Sequence, residues 1–155
     1  MSKSEKRVTK AAKKLGLRIS IQTMPETTRS AADAAKACCC EIDQIVKSLI
    51  FEGENSNALK LVLVGGHHDL DLTKSKKIFG ERLERADPNR VRSETGFAIG
   101  GVAPIGHLET LETWIDGDLL KHGIVWAAAG TPKSVFSVSP GHLARVTNAQ
   151  VFTNS

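Results

Sequence analysis

The chain has 155 residues, of which 41% are hydrophobic and 25% are charged. This composition is ordinary for a globular protein, and we expect residues 1–155 to form a single domain around one hydrophobic core. No apolar run reaches the ~20 residues that a membrane-spanning helix requires, so we expect no membrane partner. The basic N-terminus is not followed by an apolar segment, so we expect no signal peptide.

The formal net charge of +4 is distributed unevenly along the chain. Residues 1–18 contain seven basic residues and one acidic residue, and a second basic cluster spans residues 74–92. Either stretch could neutralise phosphates in a complex that added salt would weaken. The alternative is that both stretches are solvated helix faces, which is the common fate of a charged run.

The first predicted element is a basic N-terminal helix within residues 1–18. Ser2 stands three residues before Glu5, which is the spacing of a capping box, and Gly16 can end the helix. Apolar and polar residues then alternate over 17–22. This alternation predicts a half-buried strand, which Pro25 ends.

A second helix is predicted to run through Ala37, with Ser30 and Asp33 as its capping residues. Three consecutive cysteines follow at 38–40, and this spacing suits neither a disulfide framework nor a zinc site. We interpret them as small apolar residues at the end of an alanine-rich helix, with a catalytic thiol as the alternative. Unpaired cysteines favour a reducing cytoplasm. A short third helix is expected at 42–46.

Two apolar runs, at 48–51 and 59–64, flank the turn-rich segment EGENSN and predict a β-hairpin or two neighbouring strands. Lys47 precedes the first run, in the segment IVKSLIF. An unpaired ammonium group is costly to bury, so Lys47 must reach solvent, pair with a carboxylate or bind a ligand. The alternative is an edge-strand lysine that discourages aggregation.

The chain after the hairpin predicts one more helix and a turn. The helix is expected after Thr73, with Leu72, Ile78 and Leu83 facing inward and the basic cluster facing outward. Pro88-Asn89 predicts a turn that leads to a glycine-rich loop.

The C-terminal part predicts three strands, at 110–115, 123–129 and 134–138, and a last helix or turn at 140–143. The middle strand, GIVWAAA, lacks polar alternation, so we expect it to be central and covered on both faces. Together these elements predict an α/β domain with a mixed sheet of roughly six strands and helices packed around it.

The glycine-rich loop at 95–107, TGFAIGGVAPIGH, contains four glycines, one proline and one histidine. Glycine has no Cβ, so another molecule can approach its main chain closely. Pro104 ends a G-x-x-x-P pattern that begins at Gly100, and its fixed φ can hold the preceding amides in one orientation. Such amides could receive a carbonyl oxygen or a developing oxyanion. The alternative is a tight structural turn.

Other candidate motifs are weaker. The segment at 65–69, GGHHD, lacks the Gly-Lys-Ser/Thr ending of a phosphate loop. Adjacent His67 and His68 would point in different directions on a helix or a strand, so we expect no shared metal there. His107 closes the glycine-rich loop, but spacing alone cannot assign it a role as a base. No Ser-His-Asp order or nucleophile elbow is visible.

Four segments, in this order and approximate spacing, resemble the YbaK/prolyl-tRNA synthetase-associated domain family. They are TRSAADAAKA, QIVKSLIF, TGFAIGGVAPIGH and VWAAAGTPKSVF. The resemblance covers the chain from about residue 24 to residue 146.

The resemblance implies an α/β fold, with a mixed, barrel-like sheet, surrounding helices and a pocket beside the G-x-x-x-P loop. It implies a freestanding deacylase that hydrolyses the ester between a small wrong amino acid, such as alanine or cysteine, and a tRNA, with tRNA-Pro favoured. The acceptor end of the misacylated tRNA is the expected partner, and prolyl-tRNA synthetase or another synthetase is a second candidate. We expect the cytoplasm as location, and no metal or cofactor. The alternatives are a non-catalytic binder of tRNA or a synthetase, and a hydrolase of another small ester.

The resemblance also assigns residues. Lys47 matches the hallmark lysine, which would hold the terminal nucleotide or brace the loop, while loop amides polarise the ester carbonyl and the terminal ribose hydroxyl assists the attacking water. The expected catalytic residues are Lys47, Gly100, Gly101 and Val102. The expected substrate-binding residues are Ser30, Leu49, Phe51, Ile99, Ala103, Pro104, His107, Gly130 and Thr131.

Overall fold

A computed structural model describes residues 1–24 and 30–154 of the protein. Its α-helices are α1 (Lys3–Leu15), α2 (Ala31–Cys38), α3 (Ser75–Phe79), α4 (Pro88–Thr95) and α5 (Pro140–Val146). Its strands are β1 (Gln22–Thr23), β2 (Val46–Gly53), β3 (Leu59–Gly65), β4 (Leu83–Arg85), β5 (Glu112–Asp116), β6 (Val125–Ala128), β7 (Ser134–Val138) and β8 (Gln150–Phe152). Short 3₁₀ turns lie at Ile42–Gln44, Leu72–Lys74 and Gly117–Lys121.

The strands form two sheets. The larger sheet has the order β4-β2-β3-β5-β8, in which β2 is antiparallel to β3 and β4, whereas β5 is parallel to β3 and β8. The smaller sheet is antiparallel and has the order β1-β7-β6. Within the described residues, one isolated bridge, from Ile45 to Trp126, connects the two. The α/β class with mixed pairing is confirmed, but in the described part of the chain the sheets do not close into a barrel.

Strand β3 is the centre of the molecule, because apolar clusters cover both of its faces. Leu61 and Leu63 pack into the larger cluster, which also contains residues of α1 and of the smaller sheet. Val62 and Val64 pack on the opposite face. A strand covered in this way is apolar at successive positions, as the sequence of β3 is.

Several local predictions are confirmed. Ser2 and Glu5 form the capping box of α1, and Gly16 ends the helix in the left-handed conformation. The Ser30 hydroxyl accepts a hydrogen bond from the Asp33 amide and caps α2. The runs at 48–51 and 59–64 pair as a hairpin, with Leu49 opposite Val62.

Other local predictions are wrong. Of the strand expected at 17–22, only Gln22 is paired with another strand. Leu17 packs into the core without a strand partner. Pro25 lies outside the described residues. The short helix at 42–46 is a 3₁₀ turn that gives way to β2. The Pro88 turn is instead the first turn of α4, because proline suits the first helical position, where no N–H is needed.

The position of strand β6 in its sheet differs from the prediction. The sequence predicts it to be central, yet it is an edge strand of the smaller sheet, and β7 is the central one. The strand is apolar because both of its faces are covered to some extent. Val125 and Ala127 are fully buried, and Trp126 and Ala128 are half-buried. The described residues contain eight strands, of which β4 and β8 were not predicted, and Leu83, which was expected on a helix, lies in β4. None of the described helices is long and apolar enough to cross a membrane.

Candidate active site

A pocket of about 900 Å³ lies where the two sheets meet. Residues 45–51, which include the first six residues of β2, supply its floor, and Ser30 at the N-cap of α2 also lines it. The glycine-rich loop contributes Ile99, Gly100 and Val102. Segments at 69–72, 85–88 and 126–128 complete the walls.

The pairing of β2 explains the position of this pocket. One edge of β2 is paired with β3 along its length. The other edge pairs with β4 only at 51–53, and near its start only Ile45 bridges to β6. Residues 46–50 therefore have no strand partner on that edge within the described chain. The pocket occupies this gap between β4 and β6.

Lys47 places its ammonium group at this gap. Its side chain is 24% exposed, and Nζ donates a hydrogen bond to Asp69 Oδ1 at 2.8 Å. The Lys47 hydrogen bond and charge lower the pKa of the Asp69 carboxyl. Asp69 is 93% exposed, and exposed ion pairs contribute at most about 1 kcal/mol. An incoming anion can therefore replace Asp69 as the partner of Lys47 at little cost.

The G-x-x-x-P loop offers two unengaged amides rather than the three expected. The Gly101 N–H donates to the Ala98 carbonyl at 3.0 Å, so it is not available to a ligand. The amides of Gly100 and Val102 have no acceptor among the described residues, and both residues line the pocket. Gly100 has φ +95°, a left-handed conformation that favours glycine.

Gly101 has a packing role instead. A Cβ at this position would lie 3.0 Å from the Thr131 Cα and 3.3 Å from the Gly130 carbonyl oxygen. Only glycine allows the loop to approach the segment at 130–131 so closely. Gly130, with φ +101°, packs in turn against Ser4 of α1.

Arg7 of α1 fastens both ends of the loop. Its guanidinium group donates to the carbonyls of Gly106 and Gly96, at 3.0 and 2.6 Å. It also lies over the Phe97 ring, 4.6 Å from the centroid. A planar guanidinium that binds two carbonyls and an aromatic face at once holds the loop rigidly.

The His107 side chain forms a hydrogen bond within the same loop. Nε2 donates to the Ala103 carbonyl at 2.7 Å, and the ring meets the edge of Phe97. Burial lowers the pKa of the imidazole, which therefore stays neutral at physiological pH. His107 does not line the pocket.

The structure divides the predicted site residues into two groups. One group lines the pocket: Ser30, Lys47, Leu49, Phe51, Ile99, Gly100 and Val102. The other group does not line the pocket: Gly101, Ala103, Pro104, His107, Gly130 and Thr131. Thr131 belongs to the second group, and its hydroxyl is hydrogen-bonded to Ser134 Oγ at 2.6 Å.

Several pocket residues were missed at the sequence level, among them Ser48 and Arg85. Ser48 lines the pocket, and its buried hydroxyl has no hydrogen-bond partner among the described residues. Arg85 enters from β4 and forms no ion pair with the residues that the structure describes. Neither carries a local signal, because the pocket exists only through the partial pairing of β2 with β4.

The basic stretches of the sequence are largely exposed. The lysines of α1 at 3, 6, 10, 13 and 14 face solvent, with no ion pair in the described regions. In the second cluster Arg90 is engaged by Glu52 and Glu94, whereas the other basic residues are exposed. Both stretches remain candidates for contact with phosphates.

Comparison with known proteins adds a family match. The family described as "Aminoacyl-tRNA editing domain" matches residues 25–146. The uncharacterized protein YwhH of Bacillus subtilis (strain 168) is 31% identical over 119 residues, which cover 77% of this chain and 75% of YwhH.

Two further relatives have names that refer to editing. A protein of Enterococcus faecalis (strain ATCC 700802 / V583), provisionally named Cys-tRNA(Pro)/Cys-tRNA(Cys) deacylase EbsC, is 24% identical over 130 residues, covering 78% of this chain and 79% of EbsC. A solved structure, provisionally described as a trans-editing enzyme for prolyl tRNA synthetase, is 44% identical and superposes with a TM-score of 0.92. That match covers 99% of this chain and 97% of the other.

Proposed function

Because the chain belongs to the aminoacyl-tRNA editing domain family, we propose that it is a freestanding hydrolase that removes a small misacylated amino acid from tRNA-Pro. The observation that carries the proposal is that one pocket is lined by Lys47 and by two residues with unengaged amides, Gly100 and Val102. The names of EbsC and of the trans-editing relative support the choice of tRNA-Pro.

In this proposal the loop amides stabilise the reaction's developing charge. The ester carbonyl oxygen accepts hydrogen bonds from Gly100 and Val102 as water adds to the carbonyl carbon. The bond between that carbon and the ribose oxygen then breaks, which releases the free amino acid and the tRNA hydroxyl. The loop is braced by Arg7 and His107, so its amides need no rearrangement during the reaction.

Lys47 binds the nucleic acid in this scheme. Its ammonium exchanges the exposed Asp69 carboxylate for a phosphate or another polar oxygen of the terminal nucleotide. Arg85, which has no ion-pair partner in the described chain, lies on the same pocket and is suited to a second phosphate. The exposed lysines of α1 are suited to the acceptor stem, which proteins recognise mainly through shape and phosphate.

The described lining supports a role for the substrate itself in positioning the attacking water. Its titratable side chains are Lys47, Asp69 and Arg85, and none is a histidine or a cysteine. Asp69 is a weak base because Lys47 lowers its pKa. We therefore assign the task of orienting the attacking water to the free hydroxyl of the terminal ribose.

The apolar part of the pocket would select the amino acid. Leu49, Phe51 and Val102 limit the space, which favours small side chains by exclusion. The unpartnered hydroxyl of Ser48 is suited to a hydrogen bond with a polar group of the bound amino acid. Such a bond would distinguish among small residues that differ in polarity.

The test is a deacylation assay on tRNA-Pro carrying alanine, cysteine, serine or 2-aminobutyrate, with proline as the cognate control. We expect at least one small misacylated amino acid to be released much faster than in the absence of protein, while prolyl-tRNA persists. Tight tRNA binding without release of any amino acid would instead establish a non-catalytic binder. A Ser48→Ala variant in the same panel should reorder the substrates, whereas Ser137→Ala, outside the pocket lining, should not.

Cellular location follows from the proposed substrate. Misacylated tRNA is produced where translation takes place, so we assign the protein to the cytoplasm. The three free cysteines are consistent with a reducing compartment.

A further inference from the structure

A second cluster of polar side chains lies at one end of the larger sheet. His68 follows β3, Asp116 ends β5, and Asp118 is in the 3₁₀ turn that continues from β5. Because β3 and β5 are parallel neighbours, their carboxyl ends meet at the same edge. One nitrogen of His68 and one oxygen from each aspartate lie within 4.8 Å of one another.

Asp116 is the observation that points to a ligand. The residue is 1% exposed, and its Oδ1 accepts the Asp118 amide hydrogen at 3.0 Å. Its Oδ2 is buried and has no hydrogen-bond partner among the described residues. Buried carboxylate oxygens are normally paired with donors or coordinate a metal ion. An oxygen left without either, beside a second carboxylate and an imidazole, is suited to a cation.

One distance in the cluster is close to that of a metal site. Two ligands at ~2.1 Å from a tetrahedral ion lie about 3.4 Å apart, and His68 Nε2 is 3.8 Å from Asp118 Oδ2. Small side-chain rotations would close the difference. The other oxygen of Asp118, Oδ1, is bound by the Lys121 ammonium at 3.0 Å, which leaves Oδ2 available.

We propose that His68, Asp116 and Asp118 bind one divalent transition-metal ion. One imidazole nitrogen and two carboxylate oxygens suit Zn²⁺ or a neighbouring first-row ion, with water completing the coordination. The ion would hold the ends of β3 and β5 together. None of the three residues lines the candidate active site, so the role is structural and independent of the ester hydrolysis proposed above.

His67 lies next to His68 in the chain but outside this cluster. Its Nδ1 is 3.4 Å from Asp43 Oδ1, and its ring meets that of His68 edge-on, with the centroids 6.3 Å apart. The two histidines therefore diverge, as adjacent residues should. His67 provides a matched control for His68, because it is an exposed histidine beside an aspartate.

The test is a titration of chelator-treated protein with Zn²⁺, followed by calorimetry. We expect one ion per chain, and we expect His68→Ala and Asp118→Asn to weaken binding about tenfold or more, since each removes a direct ligand. His67→Ala should bind within about twofold of the unaltered protein. Both ligand side chains are part-exposed, so these variants should fold even if an Asp116 variant does not.

A thermal unfolding experiment gives an independent reading. Zn²⁺ should raise the unfolding midpoint of the unaltered protein and of His67→Ala, because an ion that binds only the folded state stabilises it. The midpoint of His68→Ala should not rise. Absence of binding, or equal binding by His68→Ala, would overturn the proposal and leave an ordinary ion pair. Measuring deacylation in the same variants separates this result from the proposed function.

Discussion

Lys47 and Lys60 lie on neighbouring strands, and each interrupts an apolar stretch. Lys60 on β3 is 8% exposed at its side chain, and its ammonium contacts Glu112 at 2.5 Å and Glu81 at 3.6 Å. Lys47 on β2 contacts only the exposed Asp69 among the described acidic residues. One lysine is saturated by two carboxylates within the fold, whereas the other has a partner that a ligand can replace.

The comparison shows that a charged residue in an apolar strand is not in itself a mark of function. The two lysines differ in whether the strand edge beside them is paired with another strand. Residues next to Lys60 are paired on both sides, by β2 and β5, whereas the free edge of β2 next to Lys47 opens into a pocket. The following experiments test this difference.

The largest effect is expected from Lys60→Met. Removing the ammonium leaves Glu81, a buried acid, with one partner fewer, and breaking a buried charge pair costs about 3 kcal/mol of unfolding free energy. Denaturant unfolding measures this loss. Lys121→Met, which removes a surface pair with Asp118, should cost less than about 1 kcal/mol. Equal losses in both variants would contradict the structural role of Lys60.

Lys47→Ala should affect activity rather than stability. We expect deacylation at sub-saturating substrate to fall about 10–10²-fold, because a hydrogen bond from an ammonium group to the bound nucleotide contributes about 1.5–3 kcal/mol. The unfolding free energy should change by less than about 1 kcal/mol, because the lost partner is exposed. Single-turnover deacylation and denaturant unfolding on the same preparation measure the two quantities. A variant that retains full turnover would remove Lys47 from the mechanism.

Acid should destabilise the network around Lys60. The amide and hydroxyl of Ser56, the amide of Asn55 and the charge of Lys60 lower the pKa of Glu81 from 4.5 to about 2. The folded-state pKa lies below the unfolded one, so this stabilisation is present above about pH 4.5 and is lost as pH falls toward 2. Unfolding measured from pH 6 to pH 2.5 should show this decline. Glu81→Gln should be less stable at pH 6 and show a flatter profile.

The smallest effect is expected from Asp69→Asn. The exposed carboxylate competes with the substrate for Lys47, so its neutralisation should strengthen tRNA binding up to about threefold and leave stability nearly unchanged. A binding titration at low salt measures the change. A large loss of activity would mean that Asp69 positions Lys47, and that the two lysines are more alike than the structure indicates.

Much of the fold could be predicted from the sequence, where the signal was local. The capping box of Ser2 and Glu5, the Ser30 cap and the hairpin depend on residues close in the chain. Strands β1, β4 and β8 are three residues or fewer and carry too little pattern to detect. The central place given to β6 failed because an apolar run indicates burial and not which neighbour provides it.

The sequence by itself determined the longer elements, the caps and the resemblance to an editing-domain family, since motifs and periodicity are properties of neighbouring residues. Only the tertiary structure decided which amides of the loop are unengaged, that His107 supports the loop, and that Lys47 rather than Lys60 lines the pocket. Strand β2 meets β4 about thirty residues later in the chain and β6 some eighty residues later. The gap between them leaves no local trace, because hydrogen-bond pairing across such separations is set by the packing of the whole domain.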